Sequence, residues 1–149
     1  MSIRFLTSLL VVAALITSAA TGCGSDDSSA TTLPKDKYAQ KADLICGDAS
    51  VEQSEIATVY FKKHPNAQEI DLVEPAGIPP LEKEIEELKD LGLPRGQEAQ
   101  AEAFLEESEI ALEALKEEPK GALAEHDNPY NKANELGEKL GLGDCSRNP

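Results

Sequence analysis

Between Gln97 and Glu118 the core-type residues recur at steps of four and three: Ala101, Leu105, Ser108, Leu112 and Leu115, with Phe104 and Ala111 widening the stripe. That period puts them on one face of an α-helix, whereas a strand would scatter them over both faces. The other face carries Glu98, Glu102, Glu106, Glu107, Glu109, Glu113 and Glu117, and Pro119-Lys120-Gly121 closes the segment. A long helix with one apolar side must be covered by other elements. The remaining segments have to supply that cover.

They read as further helices. Pro34 suits a first turn. Tyr38, Ala42, Ile45, Ala49, Ile56, Val59 and Tyr60 follow on one face, interrupted by Glu52, up to His64-Pro65. A residue before proline is pushed out of helical space, so the helix stops there. Asn66-Ala67-Gln68-Glu69 reads as an N-cap with its glutamate, ahead of Ile70, Val73 and Ala76. Gly77-Ile78-Pro79-Pro80 should break or kink this helix, and Pro80 restarts it with Leu81, Ile85, Leu88 and Leu91 inward. Leu91-Gly92-Leu93-Pro94 is a stop with glycine at the left-handed cap. In the last segment Asp127 or Asn128 caps a helix with Pro129 at its first position. Tyr130, Ala133, Gly137 and Leu140 share a face, with Leu136 beside it. Leu140-Gly141-Leu142-Gly143 repeats the stop. No segment alternates with period two. The expected fold is all-α: four helices on short connections, running up and down as a bundle. Trp is absent and aromatics make up 4% of the chain, so Leu, Ile, Val and Ala must build the core.

The first residues follow a different logic. Arg4 precedes a mostly apolar run from Phe5 to Ala20, too short and hydroxyl-rich for a membrane span. Ala20-Thr21-Gly22-Cys23 closes it and resembles the lipobox of bacterial lipoproteins, although that family usually has Leu where this chain has Ala20. The resemblance implies a signal peptide over 1–22 and a diacylglycerol on Cys23. It also implies attachment to the outer face of the cell membrane. Ordinary secretion with cleavage after Ala20 is the alternative. The small, polar stretch after Cys23 cannot bury apolar surface. Residues 23–33 are therefore expected to be a flexible tether reaching roughly 17 Å, ahead of one helical domain over 34–149.

Three cysteines in an exported chain leave one over. Lipidation of Cys23 resolves the count and leaves Cys46 and Cys145 to form a disulfide. Two buried free thiols are the alternative. Zinc is disfavoured, because no pair of cysteines or histidines has ligand spacing. An even number of helices would bring Cys46, early in the first, beside Cys145, just past the fourth.

Two elements carry a second resemblance. Ala42-Asp43-Leu44-Ile45-Cys46 and Leu140-Gly141-Leu142-Gly143-Asp144-Cys145 are similar to the A-D-x-I-C and L-G-L-x-x-C elements of small exported helical proteins of actinobacterial type. The resemblance implies the helical fold and the disulfide, and nothing about activity.

No catalytic constellation stands out, and the chain is expected not to be an enzyme. His64 belongs at a helix end and His126 in a loop beside its own cap, neither with metal-site spacing. Ser108 lies on the apolar stripe, with no nucleophile-elbow motif around it. From Glu82 to Glu118 there are 13 acidic residues against 4 basic ones. Glu82, Glu86 and Glu87, with the glutamates of the third helix, could form a ridge for cations or a basic partner, but a solvated face is the simpler reading. A net charge of −14 disfavours nucleic acid as a partner. The expectation is a tethered interaction or binding module for an unknown envelope protein or ligand, without cofactor. A small-ligand carrier with an apolar pocket inside the bundle is the alternative.

Overall fold

The computed structural model describes residues 32–120 and 128–147. The expected signal peptide, Cys23, most of the tether, His126 and Asp127 lie outside them.

Helix α1, Lys35–Lys63, starts directly after Pro34, whose carbonyl accepts the Lys37 and Tyr38 N–H groups at 2.9 Å. It ends at Lys63, two residues before Pro65, with the His64 N–H bonded to the Tyr60 carbonyl at 2.8 Å. Asp36 in its first turn and Lys62 and Lys63 in its last complement the helix dipole. Its 29 residues span about 44 Å. Tyr38, Ala42, Cys46 and Ala49 are buried, and no residue after Ala49 is. The inward face expected from the sequence therefore holds only for the first half. Ile56 and Tyr60 are half-buried and Val59 is exposed.

The next segment departs from expectation. The cap is Gln68 rather than Asn66. Its side chain accepts the Asp71 N–H, while Asp71 Oδ2 accepts the Gln68 N–H at 2.8 Å. A 3-10 turn over Glu69–Leu72 runs into a π turn over Val73–Gly77, closed by the Ile78 N–H on the Val73 carbonyl. Helix α2, Ile78–Asp90, then follows with no break. Pro79 and Pro80 offer no N–H and clash with a tight preceding turn. Widening that turn to π, with both prolines in the first turn of α2, removes the clash.

Gly92, at φ 85°, turns the chain out of α2 into Leu93–Pro94 (β2), which pairs in parallel with Thr32–Leu33 (β1). The Arg95 N–H extends this ladder to the Leu33 carbonyl at 2.7 Å. Thr32 and Leu33, expected in the tether, thus belong to the folded domain. The all-helical expectation misses this two-residue pairing.

Helix α3, Glu98–Glu117, buries every member of the expected stripe: Ala101, Phe104, Leu105, Ser108, Ala111, Leu112 and Leu115. Helix α4, Asn131–Leu140, starts later than expected. Asn128 Oδ1 accepts the Tyr130 N–H at 2.8 Å in a turn that holds Pro129 outside the helix. Gly141, at φ 80°, closes α4: its N–H bonds the Glu138 carbonyl and the Leu142 N–H bonds the Gly137 carbonyl, so both terminal carbonyls are satisfied.

Successive helices run in opposite directions. Glu52 pairs with Lys83 and Glu82 with Lys116, and Gly137 lies over Phe104. The Cys46–Cys145 disulfide, with Cα atoms 5.1 Å apart, joins the end of α4 to α1. The described residues thus form a four-helix bundle with the disulfide that the cysteine count implied.

Gly137 sits inside α4 in ordinary helical geometry. A Cβ there would meet Phe104 Cε2 and the Ser146 Cα and Cβ at 3.5 Å, which is normal contact. Gly137→Ala is therefore expected to raise stability by about 0.5–1 kcal/mol through the helix backbone, as urea unfolding would show.

Candidate functional site

Two places combine unusual residues with unusual positions. One is the exposed side of α1, the other a polar spot inside the core.

The bundle covers the first half of α1 on one side only. Leu44 is 68% exposed, Val51 58% and Val59 50%. Between them Ser50, Ser54 and Thr58 repeat every four residues. Each hydroxyl donates to the carbonyl one turn back: Ser50 to Cys46 at 3.0 Å, Ser54 to Ser50 at 2.9 Å and Thr58 to Ser54 at 2.8 Å. Back-bonding of this kind uses up the hydroxyl hydrogens inside the helix. The strip from Leu44 through Val51 to Thr58 is therefore uncharged and presents few free donors. Asp48 and Glu55 border it. Ser50, Val51, Ser54, Glu55, Thr58 and Val59 line an open groove along it. Sequence reading missed this face because Leu44 and Val51 lie off the stripe that marks the core.

The expected acidic ridge is present but laced with lysines. Lys116 lies 2.7 Å from both Glu82 and Glu113, Lys89 pairs with Glu109, and Lys132 pairs with Glu107. Such exposed pairs each contribute little, roughly 0–1 kcal/mol. The groove between α2 and α3, bounded by Pro79, Glu86, Lys89, Leu112 and Lys116, is likewise open to solvent. It is not the lined apolar interior a carrier needs. Among the described residues no three His, Cys, Asp or Glu side chains are placed to hold a metal.

The single-residue candidates fall into local roles. His64 is exposed at the end of α1 with its ring tilted 37° against Tyr60 at 4.6 Å. Ser108 Oγ donates to the Phe104 carbonyl at 2.8 Å, so its hydroxyl is committed to the helix. His126 lies outside the described residues.

The polar spot was not singled out in the sequence. Glu84, on α2, is 2% exposed, and its Oε1 lies 3.4 Å from Cys46 Sγ. Tyr38 and Tyr130 are both 1% exposed, and their hydroxyls have no hydrogen-bond partner among the described residues. Burial pushes both phenols above the ordinary 10.0, and the Glu84 charge pushes Tyr130 further.

No family model, curated protein or solved structure matches this chain. The functional reading rests on these residues alone.

The raised phenols have a consequence at alkaline pH. Their stability contribution is complete below pH 10, where both states are neutral. It is lost as pH rises further, because only the unfolded chain then ionises. Unfolding free energy is expected to hold level up to about pH 10 and fall beyond it. Tyr130→Phe should shallow that fall. At neutral pH it should leave stability unchanged or raise it by about 1 kcal/mol, since a buried hydroxyl without a partner is removed. Urea titrations of both proteins across this range check each part.

Proposed function

We propose that this chain is an exported lipoprotein, held by Cys23 to the outer face of the cell membrane, and that it is a non-catalytic interaction module. Its binding face is the exposed side of α1. The observation that carries the reading is the uncharged strip through Leu44, Val51 and Thr58 on a helix whose second half carries no buried residue. Leu44, Val51 and Val59 stay exposed along it on a chain with a net charge of −14, where polar residues are plentiful. Asp48 and Glu55 at its edge set the chemistry of the partner: an envelope protein offering an apolar segment bordered by Lys or Arg. The anchor reading rests on Ala20-Thr21-Gly22-Cys23 and the polar residues after it. Two acyl chains would hold the domain stably at the surface, where one would not.

In the native cell, metabolic labelling with an alkyne fatty acid is expected to mark the protein, and Cys23→Ala should abolish the mark and release the chain from the membrane fraction. A mature, unlabelled protein beginning at Thr21 would contradict the anchor.

A further inference from the structure

Glu84 occupies a core position. It lies three residues after Leu81 and four before Leu88, both fully buried. Burying a carboxylate costs several kcal/mol before its partners offset that cost. An apolar residue would serve packing alone at less expense. Its neighbour suggests what the carboxylate is for. In the disulfide Cys46 Sγ lies 3.4 Å from Oε1 and has no hydrogen; a reduced Cys46 thiol at the same place would turn an S–H donor toward Oε1.

We propose that Glu84 is the intramolecular base that closes the Cys46–Cys145 disulfide. Cys145 lies on the segment after α4 that docks onto α1. It first exchanges with a small external disulfide RSSR, giving Cys145–S–S–R and one RSH. As the segment docks, the Cys46 thiol passes its proton to Glu84 Oε1 and the resulting thiolate attacks Cys145 Sγ. The Cys46–Cys145 bond forms and the bond to R breaks. R leaves as a thiolate, which takes the proton back from Glu84. Two protein thiols are oxidised, RSSR is reduced to two RSH, and Glu84 ends unchanged.

A local base is needed because of where Cys46 lies. It is 0% exposed beside a carboxylate, and both burial and a neighbouring negative charge disfavour a free thiolate. Among the described residues, the other titratable groups at this spot are Cys145 from the C-terminal turn, Tyr130 from the turn before α4 and Tyr38 from α1, whose phenol burial keeps protonated. At its outer edge Asp43 Oδ1 accepts the Asp144 N–H at 3.0 Å. None of these takes the Glu84 role. Cys145 is the electrophile, Tyr130 holds its proton, and Asp43 is engaged at the rim.

The test uses the full chain with Cys23→Ser, leaving two cysteines, refolded with oxidised glutathione and quenched in acid. Mass spectrometry follows decay of the Cys145–glutathione adduct, a step independent of glutathione concentration. Glu84→Gln is expected to slow that decay about 100-fold near pH 7. It should also give a rate rising tenfold per pH unit. Glu84→Asp should fall between Glu84→Gln and the parent chain, and Glu87→Gln, on the exposed face, should match the parent. The parent chain itself should close at a nearly constant rate between about pH 6 and pH 8, because the proton moves within the pair. That profile decides the matter even if Glu84→Gln fails to fold. A parent rate climbing tenfold per unit would overturn the proposal. So would Glu84→Gln closing as fast as the parent or faster, the latter meaning that Glu84 acts only as a repelling charge.

Discussion

Reduction of the Cys46–Cys145 disulfide is expected to cost about 4–5 kcal/mol of unfolding free energy, and Cys46→Ser should cost at least as much. The bond closes a loop with a sequence separation of 99 residues. In the chain-entropy account a loop of about 100 residues contributes about 4.7 kcal/mol by restricting the unfolded chain. A domain of this size has roughly 5–15 kcal/mol in total, so the reduced protein stands near the edge of folding. The loss should also be uneven. Helix α4 has ten residues, with Ala133, Gly137 and Leu140 as its buried positions. Two of these three are small, so α4 is held weakly once the covalent tie is gone. The contacts of α2 with α3 do not depend on the bond. Hydrogen exchange on the reduced protein should therefore show the amides of α4 opening first and those of α2 and α3 later. Uniform exchange across all four helices would show that the bundle opens as one unit.

Phe104→Ala is expected to cost about 3–5 kcal/mol. Phe104 is fully buried on α3, and its ring edge lies under Gly137 of α4. Removing the ring leaves a cavity between α3 and α4, a pair that the disulfide does not clamp directly. The glycine above has no side chain with which to fill it. The effect should grow when the disulfide is also reduced, because both changes loosen α4 and neighbouring changes do not add. Urea midpoints of the four combinations give the coupling. A cost below about 1 kcal/mol in the oxidised protein would mean that α4 settles onto α3 and closes the gap.

The elements the sequence specified most sharply are those with chemical full stops. Pro65 limits α1, Pro119 limits α3, and Gly92 and Gly141 adopt the left-handed geometry that only their missing side chains make easy. Along α3 the stripe is legible residue by residue because one partner surface covers the whole helix. Around residues 66–80 the pattern misleads. Two prolines demand a turn wider than a normal helix, and the apolar spacing of Ile70, Val73 and Ala76 says nothing of hydrogen-bond register. The pairing of Thr32–Leu33 with Leu93–Pro94 is too short to leave any period.

The candidate sites were legible in part. The pairing of Cys46 with Cys145 followed from counting cysteines. Glu84 did carry a signal, its place between Leu81 and Leu88, but it was hidden in a stretch where glutamate is common. The exposed strip of α1 was hidden for the opposite reason. Spacing names the face with the most apolar residues, and only the length of α1 against its shorter neighbours shows that a second face is left bare.

The proposed binding face of α1 is tested most directly by photo-crosslinking in the native cell. A photoreactive residue is placed at Val51 of the full chain, and in separate strains at Glu106 on the far side of α3. Binding through α1 requires one discrete adduct from Val51 and none from Glu106, with the Val51 adduct abolished by Glu in place of Leu44. An absence of adduct at Val51, or the same adduct from both positions, would contradict it.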